Sequence, residues 1–404
     1  MSRSPSRRSV LAASLATLAL GLRSRPARAA GADQLLVYWI SGGWDPTYAL
    51  DPHQDSSVID TDPDATVAEA GGLPFVDAGT RPAVRSFFER WGSRSVIFNG
   101  ISVGSISHDA CTRLMLTGRR SGTDADVCTR VAVGSGDSLV LPHVVLGGPR
   151  FAGAFGDRVS LVSPTFVNLA AGRTPVPRDD DAETRIAAWL EAELAASETT
   201  AARTTFLQGL ARLPKLAQFA RDFEAVDLDT EAGRREVAVH LFAAGASRTV
   251  LMGTSVAQLG QWDSHQFNHL NQDRCFQHSF GELTALMEAL EATEGSDGQP
   301  LSERTRVLVL SEMGRQPVLN NQTGKDHWPI TSALLIGSGL QGGRVVGATD
   351  DSLAPKAVDL ASGELDDGGE VLRPGHLIAT LAAGFDLDPG DWADGETPIG
   401  GIWA

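Results

Sequence analysis

The stretch TRVLVLSEMGR at residues 305–315 decides the fold that the sequence predicts. Its apolar centre, with no charged residue from 307 to 310, is typical of a strand that is buried on both faces. Glu312 and Arg315 follow directly where that strand would end. Because open α/β sheets gather their functional groups beyond the carboxyl ends of the strands, the stretch predicts polar chemistry at one edge of a sheet.

Similar apolar runs and amphipathic segments alternate on either side of this strand. They predict strands at 35–40, 95–100, 249–253 and 333–337 and helices at 81–91, 109–118, 273–292 and 376–384. The alternation indicates an α/β fold with a mostly parallel central sheet and helices on both faces. The segment 180–247 is rich in Ala, Leu, Arg and Glu and predicts a helical insertion in the middle of one domain that covers 30–404.

The N-terminus has the layout of an export signal. Paired arginines, Arg7 and Arg8, precede a short apolar run at 10–22, and an Ala-x-Ala site ends at Ala29. The arginine pair favours the twin-arginine pathway, so we expect a periplasmic or secreted protein with residues 1–29 removed. An N-terminal helix of the fold is the weaker alternative, because this segment contains six arginines and no acidic residue.

The charge balance excludes some partners. The formal net charge of the whole chain is −16, and removal of the basic leader makes the remainder more acidic still. Such a chain is not expected to bind nucleic acid or anionic lipid. No stretch after residue 30 is long and apolar enough to span a membrane. The three cysteines, Cys111, Cys128 and Cys275, match no zinc motif and form either one disulfide plus a thiol or three buried thiols.

Carboxylates and imidazoles follow four of the predicted strands. They lie in the segments 42–45, 105–109, 261–265 and 311–328. This ligand set suits zinc, manganese or a similar divalent ion, and two ions clamped by shared carboxylates would suit in-line hydrolysis of a phosphate or sulfate ester. A single Asp at a strand end is more often a helix cap or a loop hydrogen-bonding group. The prediction therefore depends on finding such groups after four strands and not after one.

Several of these motifs resemble a known family. The leader, GGWD at 42–45, WDSH at 262–265, LSEMGR at 310–315 and the later Asn320 with GKDH at 324–327 resemble the bacterial secreted family known as domain of unknown function 1501. That family is placed within the alkaline-phosphatase and sulfatase-like superfamily. The resemblance extends over nearly the whole mature chain and implies an alkaline-phosphatase-like fold.

The resemblance implies a ligand set for divalent metal ions, with zinc as the first choice and manganese or calcium as alternatives. The implied metal ligands are Asp45, Asp263, His265, Glu312 and His327. Two departures from the superfamily stand out. Asp263 and His265 are separated by one residue where many members have three, and Met313 stands where many members have a histidine.

The position of the nucleophile departs furthest from the superfamily pattern. Counting back from MLTG at 115–118 by the sulfatase spacing reaches His108, where no Cys, Ser or Thr stands. Either Ser107 replaces it after a shift of one residue, or His108 binds metal, acts as acid and base or becomes phosphorylated, or hydrolysis proceeds without a covalent intermediate. Arg315 either holds an anionic substrate or pairs with a loop acid. His269, four residues after His265, is a reserve ligand.

Two functions follow from this pattern. The first is an exported metal-dependent hydrolase of phosphate or sulfate esters, with His108, Ser107 and Arg315 at the reaction centre and a small anionic ester as substrate. The second is an exported binding or scaffold protein that retains the fold without its chemistry and has an exported protein partner. The missing nucleophile and Met313 motivate the second function.

Overall fold

The computed structural model of the protein describes residues 33–120, 122–134, 139–170, 215–254, 260–388 and 395–404. The predicted leader and the first part of the predicted insertion, 180–214, lie outside the described residues. The strands are β1 (Gln34–Ile40), β2 (Thr66–Ala70), β3 (Leu73–Asp77), β4 (Ser95–Ser102), β5 (His143–Leu146), β6 (Val159–Leu161), β7 (Thr249–Gly253), β8 (Thr305–Ser311), β9 (Gly314–Arg315), β10 (His327–Trp328), β11 (Ile330–Gly337) and β12 (Arg344–Val346). The α-helices are α1 (Pro82–Trp91), α2 (His108–Thr117), α3 (Val127–Gly134), α4 (Pro164–Ala170), α5 (Glu231–Ala243), α6 (Asn268–Ala292) and α7 (Pro374–Gly384), and 215–222 is helical as well.

Eight strands form one central sheet in the order β12-β4-β11-β8-β1-β7-β5-β6. Strand β11 runs antiparallel to both of its neighbours, β4 and β8, whereas the other pairings are parallel. Every residue of β1 and of β8 is buried, as expected for central strands of a sheet that is covered on both faces. The predicted mostly parallel α/β fold is therefore confirmed.

The two faces of the sheet pack against different helices. Successive residues of β1 point to opposite sides, so Leu36 and Tyr38 join a core with α1, α5 and α6. Leu35 and Val37 join a second core with α2, α3 and α7. The helices on both faces confirm that part of the prediction, and α5, which lies within the predicted insertion, contributes to the layer that covers the sheet.

The predicted elements differ from the observed ones mainly at their ends. Strand β11 begins at Ile330 and helix α6 at Asn268, both earlier than predicted. The sequence missed β5, β6 and β12, because strands of three or four residues carry too little pattern to recognise. All three cysteines are free and buried, and none of the helices in the described ranges is long and apolar enough to cross a membrane.

The parallel strands bring three loops together at one edge of the sheet. Ile40 pairs with Ser311, and Trp39 pairs with Gly253, so the loops after β1, β7 and β8 leave the sheet at the same level. Gly42 has a φ of +124°, and a Cβ there would lie 2.9 Å from the backbone nitrogen of Asp263. This close approach requires glycine and sets the loop after β1 directly against the loop that carries Asp263.

Candidate metal centre and active site

Asp263 lies at the centre of a cluster of three histidines. Its Oδ1 is 3.1 Å from Nε2 of His265 and 3.1 Å from Nε2 of His327, and its Oδ2 is 3.4 Å from Nε2 of His108. Ligand atoms of His108, Asp263 and His327 all lie within 4.8 Å of one another. The structure therefore unites three predicted metal ligands with the predicted reaction-centre histidine.

In His265 and His327, the ring nitrogen that points away from Asp263 donates a hydrogen bond to an oxygen acceptor. His327 donates from Nδ1 to the carbonyl oxygen of Ile106 at 2.8 Å, and His265 donates from Nδ1 to Oδ1 of Asp326 at 2.8 Å. In a neutral imidazole this leaves Nε2 with a lone pair. The two Nε2 atoms are 3.0 Å apart and both face the carboxylate of Asp263. Two imidazole nitrogens and a carboxylate oxygen are atoms that a divalent cation such as zinc accepts as ligands.

The spacing of these atoms fits a divalent metal ion. Zn–N and Zn–O bonds of about 2.0–2.2 Å in a tetrahedral site place neighbouring ligand atoms about 3.3 Å apart. The observed separations of 3.0, 3.1 and 3.1 Å among Asp263, His265 and His327 are close to that value. A carbonyl or carboxylate on the opposite ring nitrogen is also the usual outer partner of a histidine ligand.

Glu312 orients the ring of His108 through a hydrogen bond. Its carboxylate is fully buried and accepts hydrogen bonds from the backbone of Gly42 at 2.7 Å, from the hydroxyl of Ser311 at 3.0 Å and from Nδ1 of His108 at 2.8 Å. Hydrogen bonds to Asp263 and then to Glu312 raise the pKa of His108 to about 9. The ligand role that the family resemblance implies for Glu312 stays a prediction; in the structure its carboxylate contacts His108.

Arg315 is fully buried and engaged by the protein itself. It donates to the carbonyl oxygens of Gly43 at 2.8 Å, Lys325 at 3.0 Å and Gly42, and it pairs with Oδ1 of Asp263 at 2.7 Å. These contacts match the ion-pair alternative for Arg315 rather than the substrate-binding one. Partial burial raises the pKa of Asp263, but hydrogen bonds from His108 and Arg315 outweigh it and hold that pKa well below its usual range.

Asp45 does not join the cluster, in contrast to the predicted ligand set. Its Oδ2 lies 2.8 Å from the ammonium of Lys325 and accepts a hydrogen bond from Asn268 at 3.0 Å. Its Oδ1 accepts from the backbone and the hydroxyl of Thr47 at 3.2 and 2.7 Å. Asp45 and Lys325 are both fully buried, so the lysine supplies the positive charge that a metal was expected to supply.

Two other candidates occupy less direct positions. Ser107 is exposed and is the N-cap of α2, immediately before His108, and its side chain makes no capping hydrogen bond. His269 contacts the hydroxyl of Tyr48 through Nδ1, so its ring is held on α6 away from the predicted role of reserve ligand. Met313 is fully buried in the core on the α2 side of the sheet.

Sequence reasoning missed two residues that support the cluster and one that supports Asp45. Asp326 holds His265, and Asn320 donates to both the carbonyl oxygen of His265 at 3.0 Å and Oδ1 of Asp326 at 3.3 Å. Lys325 neutralises Asp45. Asp326 is next to His327 in the chain but holds the ring of His265, so sequence adjacency alone does not identify this pair.

A family model described as "Protein of unknown function (DUF1501)" matches residues 97–362, a range that includes His108, Asp263, Glu312 and His327. The chain belongs to this family. The predicted membership is thus confirmed for this DUF1501 protein. A comparison with curated proteins gave no match.

The chain is similar, at low sequence identity, to several solved structures. A protein of the alkaline phosphatase superfamily from Vibrio parahaemolyticus is 9% identical, with a TM-score of 0.41, over 95% of this chain and 76% of that chain. The C-terminal periplasmic domain of EcEptC from Escherichia coli is 8% identical, with a TM-score of 0.44, over 91% and 86%. The phosphonate monoester hydrolase of Agrobacterium radiobacter is 10% identical, with a TM-score of 0.34, over 92% and 79%.

Proposed function

We propose that this DUF1501 protein is an exported metal-dependent hydrolase of phosphate or sulfate esters. One observation carries the proposal: the Nε2 atoms of His265 and His327 and a carboxylate oxygen of Asp263 converge within 3.0–3.1 Å, with the opposite nitrogen of each ring held by an acceptor. Such an arrangement is stable when a divalent ion lies between the three atoms. When bound, that ion supplies a Lewis acid for an ester oxygen.

The surrounding residues support an ester as the substrate. The side chains of Asp263 and His265 are each 43% exposed, so a substrate reaches them from solvent. The N-terminus of α2 begins at His108 beside them, and a helix N-terminus attracts anions such as phosphate and sulfate groups. Protonated His108 lies beside the cluster and would supply the proton that a departing alcohol oxygen takes up.

The ligand atoms favour zinc and a single ion at this cluster. Two imidazole nitrogens and one carboxylate oxygen suit zinc, then manganese, whereas calcium prefers an all-oxygen shell. The second ion of a two-metal clamp would need Asp45, whose carboxylate is neutralised by Lys325. The leader at 1–29 supports export after folding, because a site built from separated loops forms only when the chain is folded.

The experiment begins with expression of the full sequence and isolation of the chain from the periplasmic fraction. Metal content is measured by elemental analysis, and hydrolysis is measured with p-nitrophenyl phosphate and p-nitrophenyl sulfate. We expect bound zinc and hydrolysis of one of the two esters. Asp263→Asn should lower both metal affinity and hydrolysis at least about a hundredfold, since even outer partners of a metal contribute 10–100-fold.

Asp64→Asn is the matched control, because Asp64 is exposed and lies in a different loop. It should leave metal content and hydrolysis unchanged. A wild-type chain that takes up no zinc or manganese would refute the proposal, and failure to reach the periplasmic fraction would refute the export part.

The scaffold alternative rests on a different observation. Superfamily spacing assigns the nucleophile to His108, and both nitrogens of that ring are already engaged, by Glu312 at 2.8 Å and by Asp263 at 3.4 Å. Glu312→Gln distinguishes the two functions. Loss of a measurable activity supports the hydrolase, whereas an inactive wild type whose binding to an exported partner protein survives Glu312→Gln supports the scaffold.

A further inference from the structure

A second cluster of metal-ligand residues lies away from the proposed active site. Asp126 directly precedes α3, Cys128 lies in the first turn of that helix, and His143 is the first residue of β5. All three side chains are fully buried, and their ligand atoms lie within 4.8 Å of one another. Nothing near His143 in the sequence indicates these two partners, and the fold brings them together because β5 lies beside the start of α3.

The hydrogen bonds of His143 leave one ring nitrogen bare. Nδ1 lies 2.9 Å from the hydroxyl oxygen of Thr249 and 3.4 Å from its carbonyl oxygen. The Thr249 hydroxyl donates to the carbonyl oxygen of Cys128 at 3.0 Å, so Nδ1 is the donor in the pair with Thr249. Nε2 then carries the lone pair, and it has no hydrogen-bond partner among the described residues.

Ordinary packing explains two members of the cluster but not the third. Asp126 caps α3, since Oδ1 accepts from the backbone of Thr129 at 2.7 Å, and Oδ2 accepts from the backbone of Phe151 at 2.8 Å. Cys128 packs as a small apolar side chain in the core. Neither contact satisfies Nε2 of His143, which points to within 4.0 Å of Oδ1 of Asp126. A fully buried nitrogen without a partner is unfavourable unless something binds it.

We propose that Asp126, Cys128 and His143 bind a zinc ion that joins the start of α3 to the sheet. Zinc accepts a carboxylate oxygen, a thiolate sulfur and an imidazole nitrogen as ligands. The Asp126 carboxylate and a Cys128 thiolate together balance the double charge of the ion, so the buried site is neutral. The Cys128 thiol loses its proton when zinc binds.

His143 and Asp126 must approach each other by about 0.7 Å to share an ion. Bonds of about 2.0–2.2 Å to nitrogen and oxygen place those two atoms about 3.3 Å apart, against 4.0 Å between Nε2 of His143 and Oδ1 of Asp126. Thr249 already holds the opposite ring nitrogen, as the outer partner of a histidine ligand does. Because the three side chains have no exposed surface, the ion enters during folding and has a structural role.

The test uses the full chain with Asp263→Asn and His327→Gln, so that the exposed cluster no longer binds metal. This protein is produced with cobalt as the only added transition metal, because a cobalt–thiolate pair has a charge-transfer absorption that nitrogen and oxygen ligands lack. We expect that absorption and about one cobalt ion per chain, as for a single site with these ligands. Adding Cys128→Ser should abolish the absorption.

Cys275→Ser is the matched control, because Cys275 is also free and buried but lies on α6, outside the cluster. It should retain the absorption and the cobalt. Absorption that persists in Cys128→Ser overturns the proposal, and so does a background protein that contains neither cobalt nor zinc after production with either metal. The absence of both metals from the background protein would refute the proposal even if Cys128→Ser fails to fold. The result does not depend on the esterase activity.

Discussion

Asp45 and Asp263 both follow strands at the same edge of the sheet, yet their carboxylates meet opposite surroundings. Asp45 is fully buried and receives hydrogen bonds or charge from Lys325, Asn268 and Thr47. Asp263 is 43% exposed and faces the lone-pair nitrogens of His265 and His327. In the first environment a buried lysine neutralises the carboxylate, whereas in the second a carboxylate paired with Arg315 also faces two imidazole nitrogens that can act as metal ligands.

This difference teaches that the neighbours of a strand-end aspartate, and not its position, decide whether it is available as a metal ligand. A buried lysine neutralises a carboxylate as a metal ion would, so the carboxylate is no longer available as a metal ligand. When an acceptor holds Nδ1 of a histidine, as in His265 and His327, Nε2 keeps a lone pair that can bind a metal ion. Substitutions around Asp45 and around Asp263 test this interpretation.

The largest expected effect is on the Asp45 side. Lys325→Met removes the positive charge and leaves a buried, uncompensated carboxylate, which should lower the free energy of unfolding by about 3–5 kcal/mol. Urea denaturation measures this loss. The double variant Asp45→Asn with Lys325→Met should recover part of it, because no buried charge remains. Unchanged stability in Lys325→Met would show that Asp45 is neutralised in some other way.

A smaller effect is expected at the edge of the metal cluster. Asp326→Asn weakens the hydrogen bond that orients His265, so metal affinity should fall about tenfold, at the low end of the range for outer partners because Asp326 is half exposed. Competition with a chromophoric chelator measures the affinity. Asp351→Asn, at an exposed site in another loop, is the control and should have no effect. Equal metal affinities for Asp326→Asn and Asp351→Asn would show that Asp326 does not support the metal site.

The smallest effect concerns pH in the metal-free protein. Hydrogen bonds to Asp263 and Glu312 raise the pKa of His108 to about 9, so protonated His108 stabilises the fold fully below its unfolded pKa, about 6.5. That contribution is lost as the pH rises from about 6.5 to 9. Because the side chain is 38% exposed, solvent screening limits the loss to about 1 kcal/mol or less.

Thermal unfolding with a chelator present, at pH 6.5 and at pH 9, measures this loss. His108→Gln should show a smaller difference between the two pH values than the wild type. A variant with the same pH dependence as the wild type would assign the proton to another group.

Most of the sheet could be predicted from local pattern. The strands at 35–40 and 305–310 are long, apolar and buried, so their periodicity alone identifies them. Short strands such as β5 and β6 form because their neighbours offer hydrogen bonds, and this cooperative effect leaves little trace in the sequence. For the same reason His143 gave no sign of its two neighbours Asp126 and Cys128.

The sequence by itself determined the α/β class, the family and the set of carboxylates and imidazoles at the strand ends. Tertiary structure alone decided which of them meet: His265, His327 and Asp263 converge, while Asp45 pairs with Lys325 and Glu312 orients His108. The physical reason is that strand pattern depends on nearby residues, whereas the protonation and pairing of a side chain depend on groups far away in the chain. A carboxylate acts as a ligand or as half of an ion pair according to what the fold sets opposite it.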